Sequence, residues 1–460
     1  MLTQLILKNF KSWKDTGRMR MAPITALFGT NSSGKTSLLQ MLLLLKQTTD
    51  SSDRKQVLNL GDERSLVELG TFQDLLLGHD PGKTLDWELE WTLPEPLEIK
   101  DPTKKKDFLF SGTSLVHSAS ILWKRNGDQD VGRALMNRMS YRFCDHEFSM
   151  KPAKGGREGE YDLFVTPEDV FRFVRMQGRV WKLPPPVKCY GFPDQVRGYY
   201  QNAGFLSDFE LQFEELFSRM YYLGPLRDYP RRQYTWAGTQ PADMGRRGEK
   251  AVDAILASRD IGQKISLGKG RSRLTLEERV AKWLKDLGLI ESFTVRPITS
   301  GGKLFQVWVR HAKATEVLIT DVGFGISQIL PVIVLCYYAP EGSTILLEQP
   351  EIHLHPAVQA GLADVLIDAV RTRKIQIILE SHSEHLLRRL QRRIAEEKIK
   401  PKDTALYFCT VGRDVSRLIP LELDLFGTIT NWPEGFFGDE FKEIASTQEA
   451  IINRKRRGLL

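Results

Sequence analysis

Apolar positions along the chain follow two rhythms. Leu85, Trp87, Leu89, Trp91 and Leu93 alternate with polar neighbours, the period-2 mark of a strand buried on one face. The opening Met1-Leu2-Thr3-Gln4-Leu5-Ile6-Leu7-Lys8-Asn9-Phe10 alternates in the same way, and Leu115 to Trp123 and Tyr161 to Val165 also read as extended. Ile24 to Phe28 is a short apolar strand, and the leucine-rich Thr36 to Gln47 is a helix. Phe205 to Tyr222, Arg246 to Ala257 and Leu276 to Leu287 carry apolar residues at helical spacing. Phe305, Val307 and Val309 begin a further strand. From 316 to 410 the order is helix, strand, helix, strand, helix, strand, which is α/β grammar. Pro356 opens a helix with Val358, Leu362, Val365, Leu366 and Ala369 on one face, proline being favoured in a first turn. The most apolar run, Ile329 to Ala339, is shorter than the roughly 20 residues a spanning helix needs, so it reads as a buried helix.

Loop signals at Lys104-Lys105-Lys106, Gly155-Gly156 and Pro184-Pro185-Pro186 interrupt the middle of the chain. The pattern divides it into 1–82, a β-rich insertion lobe at 83–204, a helical lobe at 205–290, an α/β segment at 291–430 and a C-terminal extension at 431–460. There is no internal repeat and no heptad run long enough for an extended coiled coil. With 460 residues, 41% hydrophobic and 27% charged, the chain is neither disordered nor a membrane bundle. Its net charge of +7 permits nucleic-acid contact without demonstrating it. Cys144, Cys189, Cys336 and Cys409 are scattered, with no C-x-x-C, which argues for a reducing compartment and against a zinc ribbon. The N-terminus lacks the h-region of a signal peptide, so a cytoplasmic location with no membrane partner is expected.

Gly29-Thr30-Asn31-Ser32-Ser33-Gly34-Lys35-Thr36 fits G-x-x-x-x-G-K-[ST] at every fixed position. It follows an apolar strand and opens a helix, the context such a match requires. The glycines let backbone N–H groups turn inward around phosphate oxygens, and the helix N-terminus favours an anion. Gly29, Asn31, Ser32, Ser33, Gly34, Lys35, Thr36 and Ser37 are therefore the expected ATP-binding residues. Lys35 is expected on the β- and γ-phosphates and the Thr36 hydroxyl on Mg²⁺. Thr344-Ile345-Leu346-Leu347-Glu348 is an apolar strand ending in a carboxylate, the Walker B arrangement that delivers an acid to the Mg²⁺ shell. Ile375 to Leu379 is the next strand, followed by Glu380-Ser381-His382-Ser383. A histidine just past a strand end reaches a γ-phosphate or caps the following helix.

Three stretches then occur in one order: Asp321-Val322-Gly323-Phe324-Gly325-Ile326-Ser327-Gln328, then Glu348-Gln349-Pro350-Glu351-Ile352-His353-Leu354-His355-Pro356, then Ser381-His382-Ser383. The chain resembles the ABC-type ATPase heads of the OLD, SMC and double-strand-break-repair group, whose signature, Walker B, D-loop and switch histidine come in that order. Leu7-Lys8-Asn9-Phe10-Lys11-Ser12 also resembles that group's first strand, and the likeness covers about 1–80 and 290–430. Closer still, it resembles standalone ATPases with E-Q-P-E-x-H-L-H-P at Walker B and an Asn-Trp-Pro segment near the end, here Asn431-Trp432-Pro433 followed by Glu434-Gly435-Phe436-Phe437. Related subunits serve two-gene anti-phage systems such as PARIS and Septu, where an ATPase oligomer controls a separate nuclease. The fold this implies is α/β, an ABC-type P-loop ATPase head carrying an inserted β-rich and helical lobe, with 1–82 and 291–430 as the two parts of the head.

The resemblance further implies a composite site in which Gly323, Gly325 and Ser327 of one copy meet the γ-phosphate held by Lys35 of another, as homodimer or higher oligomer. Relatives place a water-activating glutamate after the Walker B acid; here Gln349 stands there. A neutral amide cannot accept the proton, so turnover is expected to be slow, with Gln349, Glu351 and His382 as the remaining candidates beside Glu348. Gln73, after the first helix, matches a Q-loop glutamine on Mg²⁺ or reads as a surface residue. Arg227, in Tyr222-Leu223-Gly224-Pro225-Leu226-Arg227, faces nucleotide or a neighbouring subunit in the same reading. Arg388, Arg389, Arg392 and Arg393 on the helix from Glu384, and Arg454-Lys455-Arg456-Arg457 at the end, either track phosphates or form solvated basic faces. His353 and His355 fall in the D-loop pattern rather than in a metal site.

Three functions are weighed on these grounds. The first is a regulatory ATPase controlling a separate nuclease or toxin in anti-phage defence. The second, a self-contained OLD-type nuclease, needs a D-x-D at a strand end after Ser383, which Asp424-Leu425-Phe426 breaks. The third, a DNA-clamping repair ATPase, needs long heptad arms between 80 and 290, where prolines and glycines interrupt the pattern.

Overall fold

The computed structural model describes residues 1–100, 108–125, 132–178, 182–266, 272–311, 315–412, 415–433, 446–452 and 454. Lys104 to Lys106, Glu434 to Phe437 and Lys455 to Arg457 lie outside the described residues, as does most of the 431–460 extension.

The strands that carry the phosphate loop and the Walker B acid belong to one six-stranded sheet. Its order is β10 (Met220–Leu223), β17 (Thr344–Glu348), β18 (Gln376–Glu380), β4 (Ile24–Gly29), β19 (Thr404–Val411) and β20 (Ser416–Pro420). All pairs are parallel except the last. These strands are apolar almost throughout because both faces are covered. Ile24, Ala26 and Phe28 of β4 face one core and Leu27 the other; Ile345 and Leu347 of β17 likewise oppose Leu346.

On the face of Leu27 and Leu346 lie α1 (Lys35–Asp50), α2 (Phe72–Leu75), α3 (Gln195–Tyr199), α4 (Leu206–Ser218) and a second, antiparallel sheet. That sheet runs β2 (Trp13–Asp15), β1 (Leu2–Phe10), β5 (Thr84–Lys100), β6 (Phe108–Arg125), β7 (Gly132–Phe143), β8 (His146–Pro152), β9 (Tyr161–Thr166), with β3 (Met19–Arg20) also on β1. Its register sets Leu5 opposite Leu89 and Leu7 opposite Trp87, so the alternation legible in both segments buries one continuous face. The expected boundary between 82 and 83 therefore falls between two strands of a single sheet. The opposite face carries α5 (Ala251–Asp260), α6 (Leu276–Asp286), α7 (Gly325–Tyr338), α8 (Pro356–Arg373) and α9 (Glu384–Ala395). A small sheet of β11 (Tyr234–Thr235), β14 (Ser292–Pro297), β15 (Leu304–Arg310) and β16 (Val317–Leu318), and the pair β12 (Lys264–Ile265) and β13 (Leu274–Thr275), complete it. α6 starts on a capping box in which Thr275 and Glu278 each bond the other's backbone N–H.

One helix expectation is corrected. Phe205 to Tyr222 does not run as a helix to its end; α4 stops at Ser218 and Met220–Leu223 becomes the edge strand β10, parallel to β17. Met-Tyr-Tyr-Leu suits a strand, and the tertiary pairing overrides the helical spacing continued from α4. The helix expected at Arg246 to Ala257 begins only at Ala251. None of the helices among the described residues is long and apolar enough to cross a membrane.

A buried carboxylate in α4 gives the fold a pH dependence. Burial pushes the Glu210 carboxyl up to about 7, although Oε1 accepts the Phe192 N–H at 2.8 Å. The folded value lies above the unfolded one, so the native chain holds the extra proton and stability falls as pH rises from about 4.5 to 7. Glu210→Gln keeps the acceptor and removes the charge. It is expected to stabilise the protein at pH 8 by about 2 kcal/mol and to leave stability at pH 4 nearly unchanged. Urea unfolding at the two pH values checks this; equal effects at both would contradict it.

Candidate functional site

The phosphate loop begins where β4 ends. Gly29 has φ +141°, and a Cβ there would strike the Cys409 carbonyl of neighbouring β19. Gly34, at φ +86°, caps α1, and a Cβ there would meet Ser12 Oγ, Ser416 Oγ and the Trp13 indole. Both positions need glycine. The loop is braced from outside the motif: Trp13 Nε1 donates to the Gly34 carbonyl at 2.9 Å, and Ser416 Oγ donates to Ser12 Oγ at 2.7 Å. Sequence reasoning missed these two braces, because neither a tryptophan after the first strand nor a serine at position 416 carries a motif.

Lys35 is the first residue of α1, whose first turn has no acidic residue. Its Nζ donates to the Gly29 carbonyl at 3.2 Å and the Thr30 carbonyl at 2.7 Å. Burial pulls its pKa down, against the opposing pull of Glu380. Ser33 Oγ closes the loop on the Thr30 carbonyl at 2.8 Å, while Asn31 and Ser32 are exposed at its rim and Ser37 is half-buried in the first turn of α1. A buried ammonium held only by carbonyls, at a helix N-terminus with inward backbone N–H groups, fits a polyphosphate.

The Thr36 hydroxyl donates to Glu380 Oε2 at 2.7 Å. Glu380 ends β18, the strand between β4 and β17, and pairs in register with Glu348. Glu348 ends β17 and takes the Tyr222 hydroxyl at 3.0 Å on Oε1. Burial, helped by the charge of Glu380, pushes the Glu348 carboxyl up to about 7. Arg227 lies buried beside it, with Nη2 at 3.4 Å from the Glu348 carbonyl. Burial lowers the Arg227 guanidinium to about 10, and its Nε and Nη1 have no partner. Two carboxylates at the strand ends and the Thr36 hydroxyl in the first turn of α1 are hard oxygen donors of the kind that suits Mg²⁺. Glu380 and the Tyr222 hydroxyl were not singled out from sequence. The signal for Glu380 was present, an acid at the end of the strand preceding the switch histidine.

Gln349 follows at φ +42°, its N–H donated to the Glu380 carbonyl at 2.9 Å. Glu351 is buried, and its Oε1 takes the His382 N–H at 2.7 Å while Oε2 has no partner. Glu351 thus holds the turn that carries His382. His382 is half-buried; burial lowers its pKa and the Lys35 charge adds to this, so the ring is neutral at pH 7. His355 caps α8, its Nδ1 accepting the Ala357 N–H, and His353 packs on Phe324 at 5.9 Å. Among the described residues no group of three or more His, Cys, Asp or Glu could hold a metal ion by side chains of those types alone.

Gly323, Phe324 and Gly325 form the exposed turn into α7. Ser327 Oγ donates to the Phe324 carbonyl at 2.7 Å. No hydrogen bond among the described residues joins this turn to the phosphate loop of the same chain. Phe324 and Tyr229, 42% and 71% exposed, form an aromatic pair at 5.4 Å beside it. Gln73 lies half-buried in α2, and its side chain makes no hydrogen bond to Thr36, Glu348 or Glu380. The arginines of α9 are engaged by acids: Arg388 by Glu384, Arg389 and Arg393 by Asp364, and Arg392 by Glu396. Arg389 and Arg393 are thereby tied to α8, while Arg388 and Arg392 remain exposed in ion pairs along their own helix.

Among solved structures the chain is similar, at 11% identity each, to three SMC heads. They are the SMC head bound to the C-winged helix domain of ScpA (TM-score 0.45, covering 92% of this chain and 98% of that one), the SMC head domain from Thermotoga maritima (0.41, 92% and 99%), and the Smc head with an extended coiled coil bound to the C-terminal domain of ScpA derived from Pyrococcus furiosus (0.44, 92% and 96%). No curated protein matches the sequence. Residues 399–446 match a protein family of unknown function, DUF3696. Residues 24–388, from the phosphate-loop strand to the helix after the switch histidine, match the family described as "AAA domain, putative AbiEii toxin, Type IV TA system", and the chain belongs to this family of AAA-type ATPase domains.

Proposed function

We propose that the chain is a regulatory ATPase that binds ATP and Mg²⁺ between two copies of itself, hydrolyses slowly and controls a separate effector. The observation that carries this reading is the division of the site. Lys35, Thr36, Glu348, Glu380 and His382 gather at the ends of parallel strands, while Gly323 is exposed at the turn into α7, with half-buried Gly325 and buried Ser327 behind it, and no hydrogen bond among the described residues joins these three to that cluster. When bound, ATP supplies the phosphoryl group and Mg²⁺ neutralises charge developing on it. Lys35 exchanges the Gly29 and Thr30 carbonyls for anionic oxygens. Thr36 and Glu348 present oxygens for the ion, and Gln73 is a further candidate at its periphery. Neutral His382 presents an N–H, and Gln349 orients water without taking its proton. The Gly323–Ser327 turn of a second copy closes the site.

The effector, a nuclease or toxin in anti-phage defence, rests on the likeness to two-gene defence ATPases and is supported by the toxin–antitoxin wording of the family description. The DNA-clamp alternative draws no support from the fold. Among the described residues, 84–166 carries antiparallel strands, and the helices between 195 and 290 are at most 13 residues long. Light scattering with a nonhydrolysable ATP analogue and Mg²⁺ tests the reading. The expected mass is at least twice the 52.6 kDa of the chain, falling when nucleotide is withdrawn. A mass unchanged by saturating analogue would contradict it.

A further inference from the structure

Position 349 lacks the acid that similar ATPases carry, yet the site is not short of negative charge. β18 lies between the phosphate-loop strand β4 and the Walker B strand β17. Its last residue, Glu380, is therefore one strand closer to the loop than Glu348 is. Glu380 is 3% exposed, and its Oε2 takes the Thr36 hydroxyl at 2.7 Å. Glu348 is turned to another partner, the Tyr222 hydroxyl. Glu351 lies nearby, buried, with Oε2 unpartnered. A buried carboxylate bonded to a neutral hydroxyl is costly unless a cation completes its surroundings. Lys35 does so only in part, since its Nζ hydrogen bonds go to loop carbonyls and not to Glu380. Lys35 is also the group that anionic phosphate oxygens would draw away. The remaining partner for Glu380 is a hard divalent cation, which takes one or two carboxylates together with a hydroxyl, phosphate oxygens and water.

We propose that Glu380 is a carboxylate of the Mg²⁺ site, placed in the ion's surroundings with the Thr36 hydroxyl and restoring from the neighbouring strand the negative charge that Gln349 does not supply. The assignment rests on the ATP-binding reading and adds a residue to it. The backbone supports the substitution in place: the Gln349 N–H is donated to the Glu380 carbonyl, so the two residues are held side by side at the strand ends.

The test is calorimetric titration of a nonhydrolysable ATP analogue into the full chain, in EDTA and across a Mg²⁺ series. Glu380→Gln keeps an oxygen for Thr36 and removes the charge. The Mg²⁺ concentration giving half of the metal-dependent gain in affinity is expected to rise about tenfold or more, with affinity in EDTA unchanged or tighter. Glu380→Asp withdraws the carboxylate by one methylene and is expected to raise the same midpoint several-fold, which carries the test if the amide variant does not fold. A midpoint unchanged in either folded variant overturns the assignment. So does an equal loss of affinity with and without Mg²⁺, which would mark Glu380 as a brace of the loop. Wild-type protein that binds no analogue under any condition overturns the ATP reading together with this one.

Discussion

Gln349→Glu is expected to raise the rate of ATP hydrolysis about 10- to 100-fold in single-turnover measurements. A positioned general base is worth roughly 10²–10⁴ in rate, and a carboxamide supplies only the orienting part of it. The backbone at 349 is held by the Glu380 carbonyl and not by its own side chain, so the exchange leaves the strand ends where they are. The gain falls short of the full range because a third acid joins Glu348, already pushed up to about 7 by burial and by Glu380. A carboxylate added there shares a proton with its neighbours over part of the pH range. The gain is therefore expected to be larger at pH 8 than at pH 6. Hydrolysis that stays level or falls at both pH values would place proton transfer on another group, with His382 first in line.

Lys35→Ala and Ser327→Arg are each expected to lower ATP turnover at least about 100-fold, by different routes. Lys35 is the only ammonium whose Nζ reaches the loop carbonyls among the described residues, and its loss removes phosphate binding within one chain. Ser327 sits in the second position after Gly325 in α7 and makes no bond to the loop. Ser327 is buried, so in the folded variant the arginine side chain has to leave past exposed Gly323 and Phe324, where the second copy must close, without touching the chain's own phosphate loop. Nucleotide affinity of the isolated chain separates the two: it is expected to fall in Lys35→Ala and to survive in Ser327→Arg. Loss of affinity in both variants would mean that the signature turn serves its own chain.

Much of the architecture was legible in the chain. Two-sided burial makes β4, β17 and β18 read as unbroken apolar runs, and one-sided burial makes β1 and β5 alternate; both follow from periodicity alone. The phosphate loop was legible because its glycines are required by φ and by contact with β19 and β20. What could not be read was pairing across long separations. β1 and β5 stand on either side of an expected boundary, and nothing local says that they share a sheet. Met220–Leu223 prolongs the helical spacing of α4, and only its parallel partner β17 makes it a strand. The same limit hid Glu380. Its importance lies in a hydrogen bond to Thr36, 344 residues away, and in the strand order that puts β18 against β4. The arginines of α9 looked free because Asp364, on the neighbouring α8, is invisible from their own helix.

The most direct measurement mixes the two inactive variants. Lys35→Ala and Ser327→Arg are combined at equal concentration with ATP and Mg²⁺, and hydrolysis is followed against each variant alone. Random pairing puts at most half of the dimers in mixed form, since each variant weakens closure at the pocket it alters, and one of the two pockets in each mixed dimer is then built wholly from unaltered residues. The mixture is expected to recover up to about a quarter of wild-type activity, well above either variant alone. Activity no greater than the sum of the two separate variants, with both folded and at concentrations where wild type dimerises, would contradict a site shared between copies.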